Sequence, residues 1–165
     1  MDTFPRFFID ESRRYLSEEY LPKIRRCLVG LSDEDIWWRP NEKSNSIGNL
    51  ILHLAGNARQ WIVAGVGGAD DVRKRQEEFD CEGGLEAKHL LGELEEALRE
   101  VDDVLARLPS SRLGEELEIQ GLPTTGLGAI FHVVEHFSYH TGQIIYVTKL
   151  VKDKDLEFYA ELNEG

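Results

Sequence analysis

This chain has little of what covalent or redox catalysis by a protein side chain would need. Only two cysteines, Cys27 and Cys81, occur in 165 residues. They stand far apart in neither metal-binding nor redox spacing, which excludes a disulfide framework and fits a reducing compartment. No serine or cysteine sits in a nucleophile-elbow context, and no glycine loop has phosphate-binding spacing. The acidic residues are not spaced as an EF-hand. No apolar run approaches the roughly 18 residues of a membrane span. The segment from Met1 to Glu11 lacks a basic n-region and a long apolar h-region, so a cytoplasmic location is expected. Positive charge is scarce too, with 19 basic against 31 acidic residues and a formal net charge of −12. The small basic clusters at Arg13-Arg14, Lys23 to Arg26 and Arg73 to Arg75 each lie beside acids and read as solvated helix surface. Nucleic acid and anionic membranes are therefore not expected partners.

What is present is helical periodicity. The length predicts a single domain over 1–165, and no internal repeat or low-complexity tract interrupts it. A first helix runs from Thr3 as N-cap, with Pro5 in its first turn, to about Val29, where Gly30 ends it; Pro22 is a point for a kink. Ser32 followed by three acids predicts a short helix stopping before Pro40. A second long helix begins at Ser46 and reaches Val66 before Gly67-Gly68. The polar stretch after it has helical character around Asp70 to Phe79. A third runs from Leu85 to Leu108 and is closed by Pro109. Glu115 to Gln120 reads as a short extended piece. Thr124 or Thr125 caps a fourth helix, Gly126 to Val151, and a short terminal helix is expected from Asp153 or Asp155. Four long helices make an all-α, four-helix bundle. The long connection between the second and third lets those two run parallel.

Three histidines carry the chemistry. His53 lies inside an apolar helical run, and His136 and His140 stand four apart on the fourth helix, so their rings share one face. On a wheel, His132, His136, His140 and Gln143 fall within about 80°, beside the apolar set Val133, Phe137, Ile144 and Val147. His53 shares its face with Leu50, Leu54 and Trp61, with Asn49 and Asn57 a turn to either side. Buried polar groups must be hydrogen-bonded or metal-bound. On the residues alone, a metal site and three separately satisfied core histidines weigh equally. Three histidine ligands would leave a coordination position open, as in catalytic sites. His89 has no such partner and reads as surface or structural.

Two patterns are set aside. His132-Val133-Val134-Glu135-His136 matches an inverted zinc-protease motif literally, but that architecture needs a further acidic ligand well downstream, and only 29 residues follow. The di-iron Glu-x-x-His pattern is missing from the second and fourth helices.

The segments Trp37-Trp38-Arg39-Pro40, His53 to Trp61 and His136 to Ile144 together resemble the DinB-like (damage-inducible) superfamily, over nearly the whole chain. The resemblance implies a four-helix bundle ordered up-down-down-up, with long crossover connections and a short extra helix. It implies His53, His136 and His140 as ligands of one divalent ion, usually zinc or nickel, and a homodimer. His132 lies about 12 Å of axial rise from His140 and reads instead as pocket lining, with Asn57 and Gln143. Similar proteins are thiol S-transferases or isomerases that use bacillithiol, mycothiol or glutathione. The expected function is therefore a metal-dependent transferase that activates a low-molecular-weight thiol for attack on an electrophilic small molecule. A hydrolase using metal-activated water and a non-catalytic metal-binding stress protein are the alternatives.

Overall fold

A computed structural model describes residues 3–160. The first bundle helix comprises α1 (Thr3–Arg14), a π-helical stretch (Tyr15–Tyr20) and α2 (Leu21–Leu28), continuous in backbone. Thr3, expected as its N-cap, is the first described residue and is already helical. Pro22 does not break this rod. A proline ring in a helix interior meets the carbonyl four residues back. The widened stretch just before it, where the Leu21 N–H donates to the Leu16 carbonyl, takes up the misfit.

Short α3 (Asp33–Trp37) starts at a capping box in which Ser32 and Asp35 satisfy each other's backbone N–H groups. The second bundle helix is α4 (Ile47–Ala58) with a π-helical continuation, Arg59–Val66; Ser46 and Asn49 form its capping box. A crossover carrying α5 (Arg75–Asp80) leads to the third bundle helix, α6 (Ala87–Arg107). A 3-10 turn (Ser110–Gly114) follows, then a hairpin of β1 (Glu116–Ile119) and β2 (Leu122–Thr125). The fourth bundle helix, α7 (Gly126–Lys152), is capped by Thr125, whose hydroxyl accepts from the Gly128 N–H.

Side-chain contacts fix the helix directions. Arg6 reaches the Ala106 carbonyl, Arg13 meets Asp102 and Arg25 meets Glu95, so the first and third helices are antiparallel. Arg59 meets Glu93 and Glu100, and Val104 lies against Gly67, so the second and third run parallel. His53 faces His136 while Asn57 faces His132, so the second and fourth are antiparallel. The order is up-down-down-up. Ile9, Leu16, Ile24, Ile51, Leu54, Ile62, Leu90, Leu94, Leu105, Ile130, Val133 and Phe137 fill the core between them. Each buried Leu or Ile contributes about 1.5–3 kcal/mol relative to exposure.

One local expectation is borne out and extended, and one is corrected. The extended piece at 115–120 is one arm of a hairpin that turns through Gln120 and Gly121, both at positive φ, as its two-residue turn demands. The terminal helix expected from Asp153 or Asp155 does not form over 153–159. Asp153 at φ 46 ends α7 in the left-handed region, Asp155 accepts from the Glu157 N–H, and Glu157 is again left-handed. The rest of that expected helix, at 161–165, lies outside the described residues.

Candidate metal centre

The antiparallel crossing of α4 and α7 brings His53 against His136 and His140. Their ligating atoms all lie within 4.8 Å of one another. His53 Nε2 and His136 Nε2 are 2.9 Å apart. Ring centroids are 4.9 Å apart for His53 and His136, 5.1 Å for His53 and His140, and 4.4 Å for His136 and His140. His53 and His140 are buried and His136 is half-buried, so the histidine sector sits at the edge of the core. Two tetrahedral zinc ligands with bonds of about 2.0–2.1 Å lie about 3.4 Å apart, so a small opening of these rings would admit an ion.

Charge and tautomer favour coordination. Burial first, and the neighbouring His140 and His53 rings after it, push the His136 pKa down to about 3. Burial also lowers the His140 value, against the opposing bond to Gln143. Neutral imidazole is the ligating form. His53 Nδ1 lies 2.9 Å from Glu78 Oε2 and 3.0 Å from Arg73 Nη2. A carboxylate only accepts and a guanidinium only donates; with Arg73 Nη2 already donating to Glu78 Oε2 at 2.7 Å and its other hydrogen within reach of the His53 carbonyl at 3.5 Å, the proton is assigned to Nδ1. His140 Nδ1 is likewise 2.7 Å from Gln143 Oε1. In both rings the free lone pair is on Nε2. This donor set suits a divalent transition metal.

Glu78 and Arg73 are the residues that sequence reasoning missed. The Arg73 side chain is 3% exposed and that of Glu78 11%; Arg73 Nε and Nη2 each lie 2.7 Å from a Glu78 oxygen. Burial alone would raise the Glu78 pKa, but the bonds from Arg73 and His53 outweigh it and hold the carboxyl below its ordinary value. Gly56, one turn beyond His53, makes room for this pair. A Cβ there would overlap Glu78 Oε1 and crowd Arg73 Nε. Breaking a buried ion pair costs about 3–5 kcal/mol. Gly56→Ala should therefore lower the melting temperature by roughly 10 °C, taking about 2–4 °C per kcal/mol. A thermal melt by circular dichroism within 2 °C of wild type would show that the pair moves aside freely.

The other expected residues take distinct places. Gln143 is committed to His140. His132 stands outside the three-ring cluster: its pKa is lowered by burial, Trp61 stacks on it at 4.0 Å, and its Nε2 is 3.3 Å from Asn57 Nδ2. Among the described residues, Asn57 Oδ1 and Trp61 Nε1 are buried without a hydrogen-bond partner. His89 is exposed on α6. A groove of about 550 Å³ is lined by Leu50, Tyr139, Gln143 and Tyr146 among others.

The family model for proteins of unknown function designated DUF1572 matches residues 4–161. The chain belongs to this family. The DUF1572 chain also has solved structural neighbours. A conserved protein of Enterococcus faecalis superposes with a TM-score of 0.75 at 17% identity, covering 88% of this chain and 97% of the other. A DinB-like protein of Bacillus subtilis, YjoA, superposes with a TM-score of 0.67 at 16% identity, covering 92% and 96%. The DUF1572 fold is thus DinB-like. No curated protein sequence matches the chain.

Proposed function

We propose that this chain binds one divalent ion, zinc or nickel, through His53, His136 and His140, and serves as a transferase that activates a low-molecular-weight thiol for attack on an electrophilic small molecule. The observation that carries the reading is the cluster of three imidazoles whose second nitrogens, at His53 and His140, are tied to Glu78 and Gln143. Bound there, the ion would supply Lewis acidity and favour the thiolate form of a coordinated thiol.

The chain's own residues hold and orient. His53, His136 and His140 present neutral nitrogens. Glu78 and Gln143 set ring orientation, and Phe79, 4.8 Å from the His53 ring, covers one of its flanks. The groove beside Gln143 has the volume of a small-molecule pocket. The protein's own thiols are poor candidates for the nucleophile. Burial pushes Cys27 up to about 11, and the Cys81 sulfur lies 3.5 Å from the Gly83 carbonyl oxygen. A thiol from solution fits this arrangement better. The direct test is elemental analysis of the purified protein together with a conjugation screen over several thiols. A chain that binds no divalent metal and conjugates none of them would overturn the proposal.

The reading treats 1–165 as one domain located in the cytoplasm, and it includes a two-fold homodimer. Phe4 and Phe7 on α1 are 74% and 63% exposed, and Phe131 on α7 is 58% exposed. Apolar surface of this kind marks interfaces, and the two-fold dimer is the commonest assembly. Light scattering at micromolar concentration should give twice the monomer mass; a monomer mass would remove the dimer.

A further inference from the structure

We propose that Glu78, on the crossover and not on any of the four bundle helices, is a positioning residue of the metal centre. Its carboxylate locks His53 in the tautomer that turns Nε2 toward His136 and His140. The inference rests on the metal-site reading above and adds an outer residue to it.

A neutral imidazole exchanges between two tautomers, and only the one protonated at Nδ1 offers Nε2 as a lone-pair donor. An acceptor at Nδ1 selects that tautomer, fixes the ring and raises its basicity. Glu78 Oε2 stands at that point, 2.9 Å away. Several independent contacts keep it there. Arg73 grips both carboxylate oxygens. Gln60 Oε1 in turn accepts from Arg73 Nη1 at 2.8 Å, which ties the guanidinium to the second bundle helix. Asn49, fully buried in the first turn of α4, donates to the carbonyls of Glu78 and Cys81 at 2.9 and 2.7 Å. Arg39 donates to the Cys81 carbonyl at 3.2 Å. Gly56 leaves the space that the carboxylate fills. The segment 73–81 is thus a strap buckled to the second helix at its backbone and through its side chains. An ion pair serving stability alone would need no histidine within reach, and apolar residues of similar volume would serve as well.

Cobalt titration of the full chain tests this in wild type, Glu78→Gln and Glu78→Met. Glutamine keeps an oxygen to accept from Nδ1, whereas methionine fills similar volume with no such acceptor. The double variant Arg73→Met/Glu78→Met removes both charges together and replaces Glu78→Met if the lone guanidinium prevents folding. Expected is a 10–100-fold loss of cobalt affinity with displaced d–d bands when methionine stands at 78, and recovery of most of that loss with glutamine. Long-range proton–nitrogen spectra of the metal-free chain should show His53 protonated at Nδ1 in wild type and Glu78→Gln, and a tautomer mixture in the methionine variants. Unchanged affinity, bands and tautomer in those variants would overturn the role of Glu78 while leaving the three-histidine site standing. If wild type binds no cobalt, the site reading fails, and the tautomer spectra alone decide what Glu78 does.

Discussion

His136→Ala should leave the purified chain with almost no divalent metal, where wild type should carry about one ion per chain. Structural zinc sites gain about 10–16 kcal/mol from four ligands, so losing one should weaken binding by roughly two orders of magnitude or more. The three rings form a triangle, His136 lying 4.9 Å from His53 and 4.4 Å from His140 and those two 5.1 Å apart by centroid, and removal of His136 leaves a pair that no longer surrounds a point. Elemental analysis after dialysis reads the outcome. Full retention in His136→Ala, or in His53→Ala, would take that residue out of the coordination sphere. Acid adds a second reading. With its folded pKa near 3, His136 stays neutral well below the value of about 6.5 for a free imidazole. The unfolded chain therefore binds more protons than the folded one between those values. Stability of the metal-free protein should be full above about pH 6.5 and should decline as pH falls toward 3. Melts recorded across that range check the sign; stability that rose on acidification would contradict it.

The correct thiol, added to the cobalt form, should produce a sulfur-to-metal charge-transfer band that an all-nitrogen and oxygen site lacks. His140→Ala should abolish that band and all conjugation activity, since it removes one of two ligands supplied by α7. Cys27→Ser and Cys81→Ser should change neither, because the first thiol is buried beside Thr148 and the second lies beside Gly83. These controls separate an added thiol from a protein thiolate that could imitate its signal. If bacillithiol, mycothiol, glutathione and coenzyme A all leave the cobalt spectrum untouched, the thiol reading falls and metal-activated water becomes the better account.

The helices and the His136–His140 pair were legible because both are written in local spacing, whereas the joining of His53 to that pair was decided only by the DinB-like resemblance. Ser32, Ser46 and Thr125 cap where their hydroxyls should, and an i, i+4 pair keeps His136 and His140 on one face whatever packs against it. The long connection before α6 foretold a parallel pair. Features that depend on tertiary contact were not legible. Glu78 lies 25 positions from His53 in a polar stretch with no period, and tertiary contacts from Asn49, Arg39 and Arg73 bring it back. The π-helical stretches at 15–20 and 59–66 shift register locally, a change that a 3.6-residue count does not register. The hairpin turns on Gln120-Gly121, a weaker turn signal than Asn-Gly. Gln143 lies on the expected face, where its Oε1 meets His140 Nδ1 and its side chain also borders a groove.

The parallel course of the second and third helices has a bearing on any attempt to miniaturise this centre. An up-down-up-down bundle joins neighbours with short loops and would have no chain to spare beside His53. Here the polypeptide must travel back along the bundle's length before α6 can start, and that return journey delivers Arg73 and Glu78 to the outside of His53 on α4. A two-helix excision of 47–66 and 126–152 would carry all three imidazoles and neither of those partners. A designer borrowing the site would have to transplant the return path with it, or invent another way to hold His53 still.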